Sequence, residues 1–583
     1  MRHAAWLEGL AWASLVGALL WLGGDVVRAS YHGYLHTTIG EAVRAEGLRP
    51  ENPYHAGEAL RYYTLYPWLG AWLGSTGLGA LHAFAWLNVL AALLLGPALD
   101  ALGRALGLSW AGRRWAFALT VLAFNACGWL GWWLFPPADA SVPVFAFESL
   151  TFAAQSWGWD ARLQAFLPKY LNVSSFALAL VPGLWALAAG WRARRAGTAW
   201  PVLLPAGVAL AINPLVGGFV GLVLLAWGIP VLLRAATPVR LSWLGAGMGA
   251  VLLALPFLLP AFQAAPDGPS LTGKVRFEHD GWTNVLGPLL LLLPFAALGA
   301  RTLRSEDRLA WAIPVGIAVV AAAMLQLPWG NEYKLVRIAG MLLAIPAGAW
   351  LAGSKARRGW GLGMLLLAAP TTVLVARTYL VWAEHGTPPA LVEEAGRLAP
   401  RDELRQRALP QAVETALRDA PREAMLWMNP VHPGTVQARG LVQGQVLAPV
   451  LAHALFVDQP QIHNDRYPDL ALRLALTVGT RNLERVFGPL RAEQMLVQLE
   501  GRELPGLWEG VSRERCVEAV ERALATVPGR TCLVLTASDF PHVVPALEQC
   551  GAERLAEEGG ISLWRLTAQG GGSPPEDPAA AGS

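Results

Sequence analysis

Charged residues that could do chemistry stand at the edges of long apolar runs in this 583-residue sequence. Asp25 directly follows the first run, Lys169 opens another, and the turn Asn331-Glu332-Tyr333-Lys334, with Arg337 beyond it, opens a third. An unpaired charge inside a bilayer costs about 2.5–3.5 kcal/mol, so such positions tend to mark sites. A carboxylate held at fixed depth can act as base on a hydroxyl or ligate a metal. The plainer reading of Asp25 is a stop for the preceding helix, at the dipole end where negative charge is disfavoured. Lys334 and Arg337 are three apart and share one helix face. Two cations and free amides at the positive end of a helix suit an anion such as phosphate. The plainer reading is that both snorkel to headgroups, against which Arg337 lies deep. Lys169-Tyr170-Leu171-Asn172 repeats the pattern of a cation at a helix start. Arg276 stands in a mixed cluster with Lys274, Glu278, His279 and Asp280, which reads first as a solvated loop, with His279 and Asp280 as a weak metal pair.

The elements that must position these groups follow from composition. The chain is 54% hydrophobic and only 15% charged, where soluble domains carry about 25% charged residues. Its net charge of +3 is small and spread over many loops, which does not suggest nucleic acid as a partner. The four cysteines show no metal-ligand spacing; Cys127 reads as a small core residue, and one disulfide among Cys516, Cys532 and Cys550 is open. Segments of about 20 apolar residues predict about 11 transmembrane helices. They lie near 5–23, 79–100, 115–134, 174–191, 199–213, 215–233, 241–262, 284–300, 309–328, 335–353 and 360–381. The pair at 199–233 is split only by Asn213-Pro214, so a broken helix is the alternative there. With the N-terminus inside, every inside loop is short and basic, from Arg104, Arg113 and Arg114 to Lys355, Arg357 and Arg358, as cytoplasmic loops are.

An odd span count leaves residues 385–570 outside, where apolar runs alternate with helical stretches in the manner of a soluble α/β domain. Residues 1–384 form the transmembrane domain, with a large first outer loop over 24–78, and 571–583 reads as a disordered tail. In that loop YLHTTIGEAVRAEG predicts an amphipathic helix, and ALRYYTLYPWLGAWLGSTG an aromatic one at the interface. In the outer domain, VDQPQIHNDRYPD carries Asp458, His463, Asn464, Asp465 and Asp469, which could bind a sugar or a cation or form a structural loop. Its spacing fits no calcium loop.

The order of these features resembles the GT-C superfamily of integral membrane glycosyltransferases, which includes protein O-mannosyltransferases, oligosaccharyltransferases and the lipid A aminoarabinose transferase. The likeness rests on an acidic residue after the first span, a large first outer loop with helices, about ten further spans and a C-terminal outer domain. NPYHAGEALRYYTLYPWLGAWL, PKYLNVSSFALAL, NEYKLVRIAGMLLAIPAG and ALFVDQPQIHNDRYPDLALRLAL look like segments of bacterial members. Such enzymes often pair two carboxylates in the first loop, whereas Asp25 stands alone here. The resemblance implies a polytopic α-helical fold and transfer of a hexosyl or pentosyl unit from a polyprenyl-phosphate donor. The acceptor would be the hydroxyl of a glycan, lipid or protein, and the anomeric centre would be inverted. It implies the outer face of the cytoplasmic membrane as the place of reaction. Asp25 would be the base, with Glu41 and Glu58 in reserve. Lys334, Arg337, Lys169, Arg276 and Asn331 would meet the phosphate, since a charged leaving group needs cations more than a general acid. His32, His55, Arg61, Tyr62, Tyr63, His463 and Asp465 would line the substrate. A divalent cation, Mg or Mn, would have Asp25 and His279 as ligands. A transporter or flippase, for which Asn125, Asn213 and Gln326 are the few polar candidates within spans, and a non-catalytic scaffold are the competing readings.

Overall fold

The apolar runs form helices because a bilayer offers nothing to satisfy exposed backbone N–H and C=O groups. The structure, a computed structural model, describes residues 3–24, 33–130, 165–262, 276–277, 282–327, 331–385, 410–429, 453–457 and 467–567. Asp25, His32, His279, His463, Asp465 and the tail 571–583 lie outside these, and only the backbone of Arg276 is within them. The chain divides into two compact units.

The first unit holds α1 (His3–Leu22), α2 (Gly33–Glu46, as far as Gly40), α3 (Leu65–Leu73), α4 (Ala80–Ala105), α5 (Trp110–Leu122) and the single turn α6 (Pro168–Leu171). It continues through α7 (Ser175–Ala196), α8 (Trp200–Ile212), α9 (Pro214–Arg234), α10 (Thr237–Phe262), α11 (Trp282–Leu289), α12 (Leu292–Ala300), α13 (Ser305–Met324), α14 (Tyr333–Leu351) and α15 (Lys355–His385). A two-stranded ribbon pairs β1 (Arg276–Phe277) with β2 (Leu325–Gln326). Eight of these helices, α1, α4, α7, α9, α10, α13, α14 and α15, are long and apolar enough to cross a membrane. The chain is a polytopic helical membrane protein.

Three of the eleven expected spans take another form. The run at 284–300 is two helices, α11 and α12, bent by 77° at their junction, where Pro288 and Pro294 each remove a backbone donor. The run at 199–213 is a separate 13-residue helix, α8, rather than half of a broken one. Asn213 decides this: its side chain accepts from the amides of Leu215 and Val216 and so caps a new helix, α9, with Pro214 at its first position. Gly217 then lies against the backbone of Leu210, closing a tight turn-back. The run at 115–134 begins earlier, at Trp110, and its helix ends at Leu122, just before Asn125 turns left-handed at φ 53.

Small residues set how closely the spans approach, as is usual where lipid removes the hydrophobic drive. A Cβ on Gly9 of α1 would meet the Leu93 carbonyl of α4 at 2.0 Å, and one on Gly299 of α12 would meet the Pro346 carbonyl of α14 at 1.8 Å. α7 and α14 are the most enclosed spans, with 89% and 83% of their apolar windows buried. They form the middle of the bundle, and the outer helices turn many leucines outward.

The second unit holds Glu41–Tyr62 together with the described residues beyond 410. The first loop is therefore split, and its middle part belongs with the α/β unit rather than with the spans. Backbone bonds carry this assignment: the Leu455 amide donates to Pro53 and the Ala56 amide to Leu455. Its helices are α16 (Gln411–Asp419), α17 (Leu470–Val478), α18 (Leu483–Phe487), α19 (Pro489–Gln498), α20 (Arg513–Thr526) and α21 (Val543–Gln549). The sheet runs β3 (Met425–Met428), β4 (Thr531–Ala537), β6 (Ile561–Thr567), β5 (Glu553–Glu558). β3 and β4 are parallel, with Leu426 opposite Leu533, and the other pairs are antiparallel. β4, in the middle, is apolar on both faces because both are covered. The cysteines are free thiols, so the open disulfide is absent; Cys532 and Cys516 serve the core.

Candidate active site

Within the membrane unit, a cluster forms where α6 meets the start of α14. Pro168 opens the α6 turn and points Lys169 into the bundle, where it is 7% exposed. Its ammonium donates to the phenol of Tyr333 and lies 4.4 Å from that ring's centre. Arg337, one turn into α14, is 1% exposed. Its Nη1 donates to the carbonyls of Ala165 and Phe166, and its guanidinium stands 5.8 Å from the Tyr333 ring and 5.5 Å from Phe124. Lys334, half-buried, lies 6.0 Å from the same ring. Three cations from two distant stretches of chain thus surround one tyrosine. Arg337 does not snorkel; it is held inside.

The cluster is fixed by neighbours on other spans. Asn172, just after α6, accepts from Tyr379 of α15 at 2.8 Å and, through its carbonyl, from Asn88 of α4 at 3.0 Å. Asn331, half-buried, accepts the Lys334 amide through its carbonyl, and Glu332 accepts the Leu327 amide at 3.1 Å. The β1–β2 register places the Arg276 backbone opposite Gln326, one residue before Leu327, at this same end of α14. A second polar group lies nearby on α7: Ser175 bonds the Tyr63 hydroxyl at 3.0 Å and accepts from Asn213 at 2.8 Å. His36 of α2 packs edge-on to Tyr66 at 4.8 Å. Burial pulls its pKa down to about 3, with the Lys334 charge adding to the effect. The first-loop helix therefore comes within electrostatic reach of the α14 start.

Sequence reasoning had Lys169, Lys334 and Arg337 but left out Tyr333, Asn172, Tyr379 and His36. Tyr333 and Asn172 sat in the very motifs that named the cations. Nothing local marks Tyr379 or His36, which reach the cluster only through packing. The polar residues that a transport path would need are instead spent on helix ends: Asn213 caps α9, Gln326 sits in β2, and the Asn125 amide donates to Pro288 in a turn. Trp68 and Trp72 are 36% and 57% exposed, as interfacial anchors are.

In the second unit a different network involves the other first-loop residues. His55 is fully buried, with Nε2 2.7 Å from Asp469 and its ring stacked on Tyr467 at 4.7 Å. Asp469 also accepts from Arg473 Nε at 2.7 Å, and Arg473 Nη1 donates to the carbonyls of Ala56 and Phe456. Arg61 covers Tyr467 at 4.5 Å, and Tyr467 donates to the Ala59 carbonyl at 2.5 Å. Burial lowers the His55 pKa to about 4, the Asp469 hydrogen bond acting against it. Burial raises Asp469, but the His55 hydrogen bond and charge and the Arg473 guanidinium outweigh it and hold the carboxyl below its usual range. Glu58 lies 3.9 Å from Arg61, Glu41 pairs with Arg44 at 2.6 Å, and Tyr62 is buried. Glu51, which the sequence left unassigned, pairs with Arg530 and accepts the Gly57 amide at 2.5 Å. Here the partners of the expected substrate residues are protein groups that hold the 51–61 segment in place. Among the described residues no three His, Cys, Asp or Glu side chains form a metal-holding group.

The crystal structure of ArnT from Cupriavidus metallidurans bound to undecaprenyl phosphate aligns over 96% of this chain and 98% of its own, at 14% identity and a TM-score of 0.47. Its apo form aligns over the same shares at 15% identity and 0.46. The apo oligosaccharyltransferase of Archaeoglobus fulgidus aligns over 94% and 73%, at 13% identity and 0.35. No protein-family model matches the chain, and no curated protein does.

Proposed function

We propose that the chain is a membrane glycosyltransferase. It moves a sugar from a polyprenyl-phosphate donor to an acceptor hydroxyl at the outer face of the cytoplasmic membrane, with inversion at the anomeric carbon. The observation that carries this reading is the convergence of Lys169, Lys334 and Arg337 on Tyr333 within the membrane unit. Cations fixed in a site that excludes water stabilise developing negative charge far more than they would in solution, and they need no reorganisation as the bond breaks. A polyprenyl phosphate leaving from the sugar develops charge of that kind. In this reading its phosphate takes the place of the Tyr333 phenol as the acceptor for Lys169. Arg337, pre-set by two carbonyls, meets a second phosphate oxygen, and Lys334 attracts the anion from the half-exposed rim.

The remaining demand is a base for the acceptor hydroxyl. Asp25 is the proposed base, because Glu41 and Glu58 group with the second unit and each faces an arginine. A divalent cation on Asp25 and His279 is part of the proposal in its metal-dependent form. The short basic loops face the cytoplasm in this reading, and the α/β unit lies outside.

The test is turnover by purified protein in lipid, given a panel of polyprenyl-phosphate sugars and glycan, lipid or protein acceptors. Removing one preorganised donor of transition-state charge costs about 10²–10³ in kcat. Arg337→Gln and Lys169→Gln should each fall by that amount, and Asp25→Asn should lose the reaction. Full turnover in both cation variants would end this reading, and full turnover in Asp25→Asn would move the base elsewhere.

A further inference from the structure

A single helical turn does not hold its own shape, since isolated helices shorter than about 12–15 residues are marginal even in favourable sequences. The α6 turn, Pro168–Leu171, nevertheless carries much of the cation cluster. It presents Lys169 to the Tyr333 phenol, and the residues just before it present the Ala165 and Phe166 carbonyls to Arg337. A shift of this one segment would misplace two cations at once. In the transferase reading Tyr333 cannot be what fixes it, because a phosphate oxygen there replaces the phenol as the acceptor for Lys169. A segment that stays in place while Lys169 changes partner needs anchors outside that exchange.

Asn172 meets this need. Its amide donates to the Pro168 carbonyl at 2.9 Å and closes the turn. Its carbonyl accepts from Asn88 of α4 at 3.0 Å, and its side-chain Oδ1 accepts from the Tyr379 hydroxyl of α15 at 2.8 Å. Two residues later Ser174 accepts the Phe176 amide and starts α7, the most enclosed span, which leaves the chain little slack. The segment is tied to α4 and to α15 by neutral groups that are neither cations nor phosphate ligands. Asn88 is fully buried and Tyr379 is 6% exposed, so water does not readily replace either donor. Tyr379 also lies within electrostatic reach of Arg337.

We propose that Tyr379, acting through Asn172, is a positioning residue for the transfer: it holds residues 165–172 so that Lys169 and Arg337 meet the leaving phosphate together. This role rests on the transferase reading and adds to it the group that fixes its geometry. Tyr379 moves no proton and touches no substrate; its hydroxyl orients Asn172, and Asn172 holds the turn.

Tyr379→Phe and Asn172→Ala delete one bond from opposite ends, since Asn88 bonds the Asn172 main chain, which the second change leaves in place. With the donor and acceptor that give turnover in the panel above, each should lower kcat about three- to tenfold, the worth of one neutral hydrogen bond. The donor KM should stay nearly unchanged, because the interaction served is made in the transition state. The double variant should be no slower than the slower single, because a shared bond is lost only once, whereas independent structural losses add. Hydrogen exchange of the purified full chain in lipid needs no substrate; over residues 165–173 it should quicken by a similar factor in Tyr379→Phe, with the α9 amides unchanged. If Asn172→Ala does not fold, Tyr379→Phe, which keeps the ring, decides through kcat and exchange. Unchanged exchange over 165–173, or additive losses in the double variant, would overturn the positioning role. So would wild-type kcat in Tyr379→Phe while Lys169→Gln and Arg337→Gln are slow, a result that leaves the transferase reading standing. Full turnover in both cation variants would instead end that reading, and this role with it.

Discussion

Lowering the pH should loosen the second unit at His55, and the size of the effect follows from its burial. The imidazole is fully buried against Tyr467 with Nε2 on Asp469, and its pKa falls from 6.5 to about 4. A group whose folded pKa lies below its unfolded value contributes stability that is complete above the unfolded value and is lost as pH falls toward the folded one. The window is therefore pH 6.5 down to about 4. Asp469, held below its usual range, loses its own contribution only at lower pH. At about 1.4 kcal/mol per unit, acidification from pH 7 to about 4.5 should remove roughly 2 kcal/mol, several tens-fold in the local opening constant. Hydrogen exchange read by mass spectrometry over residues 53–60 and 470–478 of the full chain measures that opening. Comparing wild type with His55→Gln at each pH cancels the intrinsic chemistry of exchange. Protection in the wild type should fall several tens-fold more than in the variant across this window. Parallel profiles would refute the reasoning, because they would mean that folded His55 takes up its proton as freely as the unfolded chain does.

Three further outcomes follow from the packing and the site. Gly299→Ala drives a Cβ into the Pro346 carbonyl, so α12 and α14 must separate; overpacking of this kind costs about 1–3 kcal/mol, read as a lower thermal midpoint in detergent. Asn213→Ala removes both the α9 cap and the bond to Ser175, at a cost of about 1 kcal/mol for the cap alone, whereas Asn213→Asp should retain most of the capping. Tyr333→Phe removes the phenol that accepts from Lys169 and should change the donor's KM more than kcat, in contrast to Arg337→Gln, which should act on kcat.

Much of this protein could be read in one dimension. The apolar runs specify spans because the bilayer constrains every backbone group, and all eleven expected runs contain a helix, eight of them long and apolar enough to cross a membrane. Lys169, Lys334 and Arg337 could be picked out because a cation at the mouth of an apolar helix is costly and therefore conspicuous. The alternation of short apolar runs after residue 410 likewise announced an α/β unit, with β4 at its centre. What sequence could not supply was which distant segments meet. Asn213 read as a polar residue within a span and is a helix cap. Glu41–Tyr62 read as part of the membrane domain, yet His55, Ala56 and Glu51 bond to Asp469, Leu455 and Arg530 more than 390 residues away. Tyr333 read as a neighbour of cations and became the ring around which three of them gather. Local pattern is set by each segment's own exchange of water for lipid or core, and that exchange is written in composition. Convergence is set by close packing between segments, where a glycine, a cap or a buried hydrogen bond far along the chain decides the partner, and only the folded arrangement contains that information.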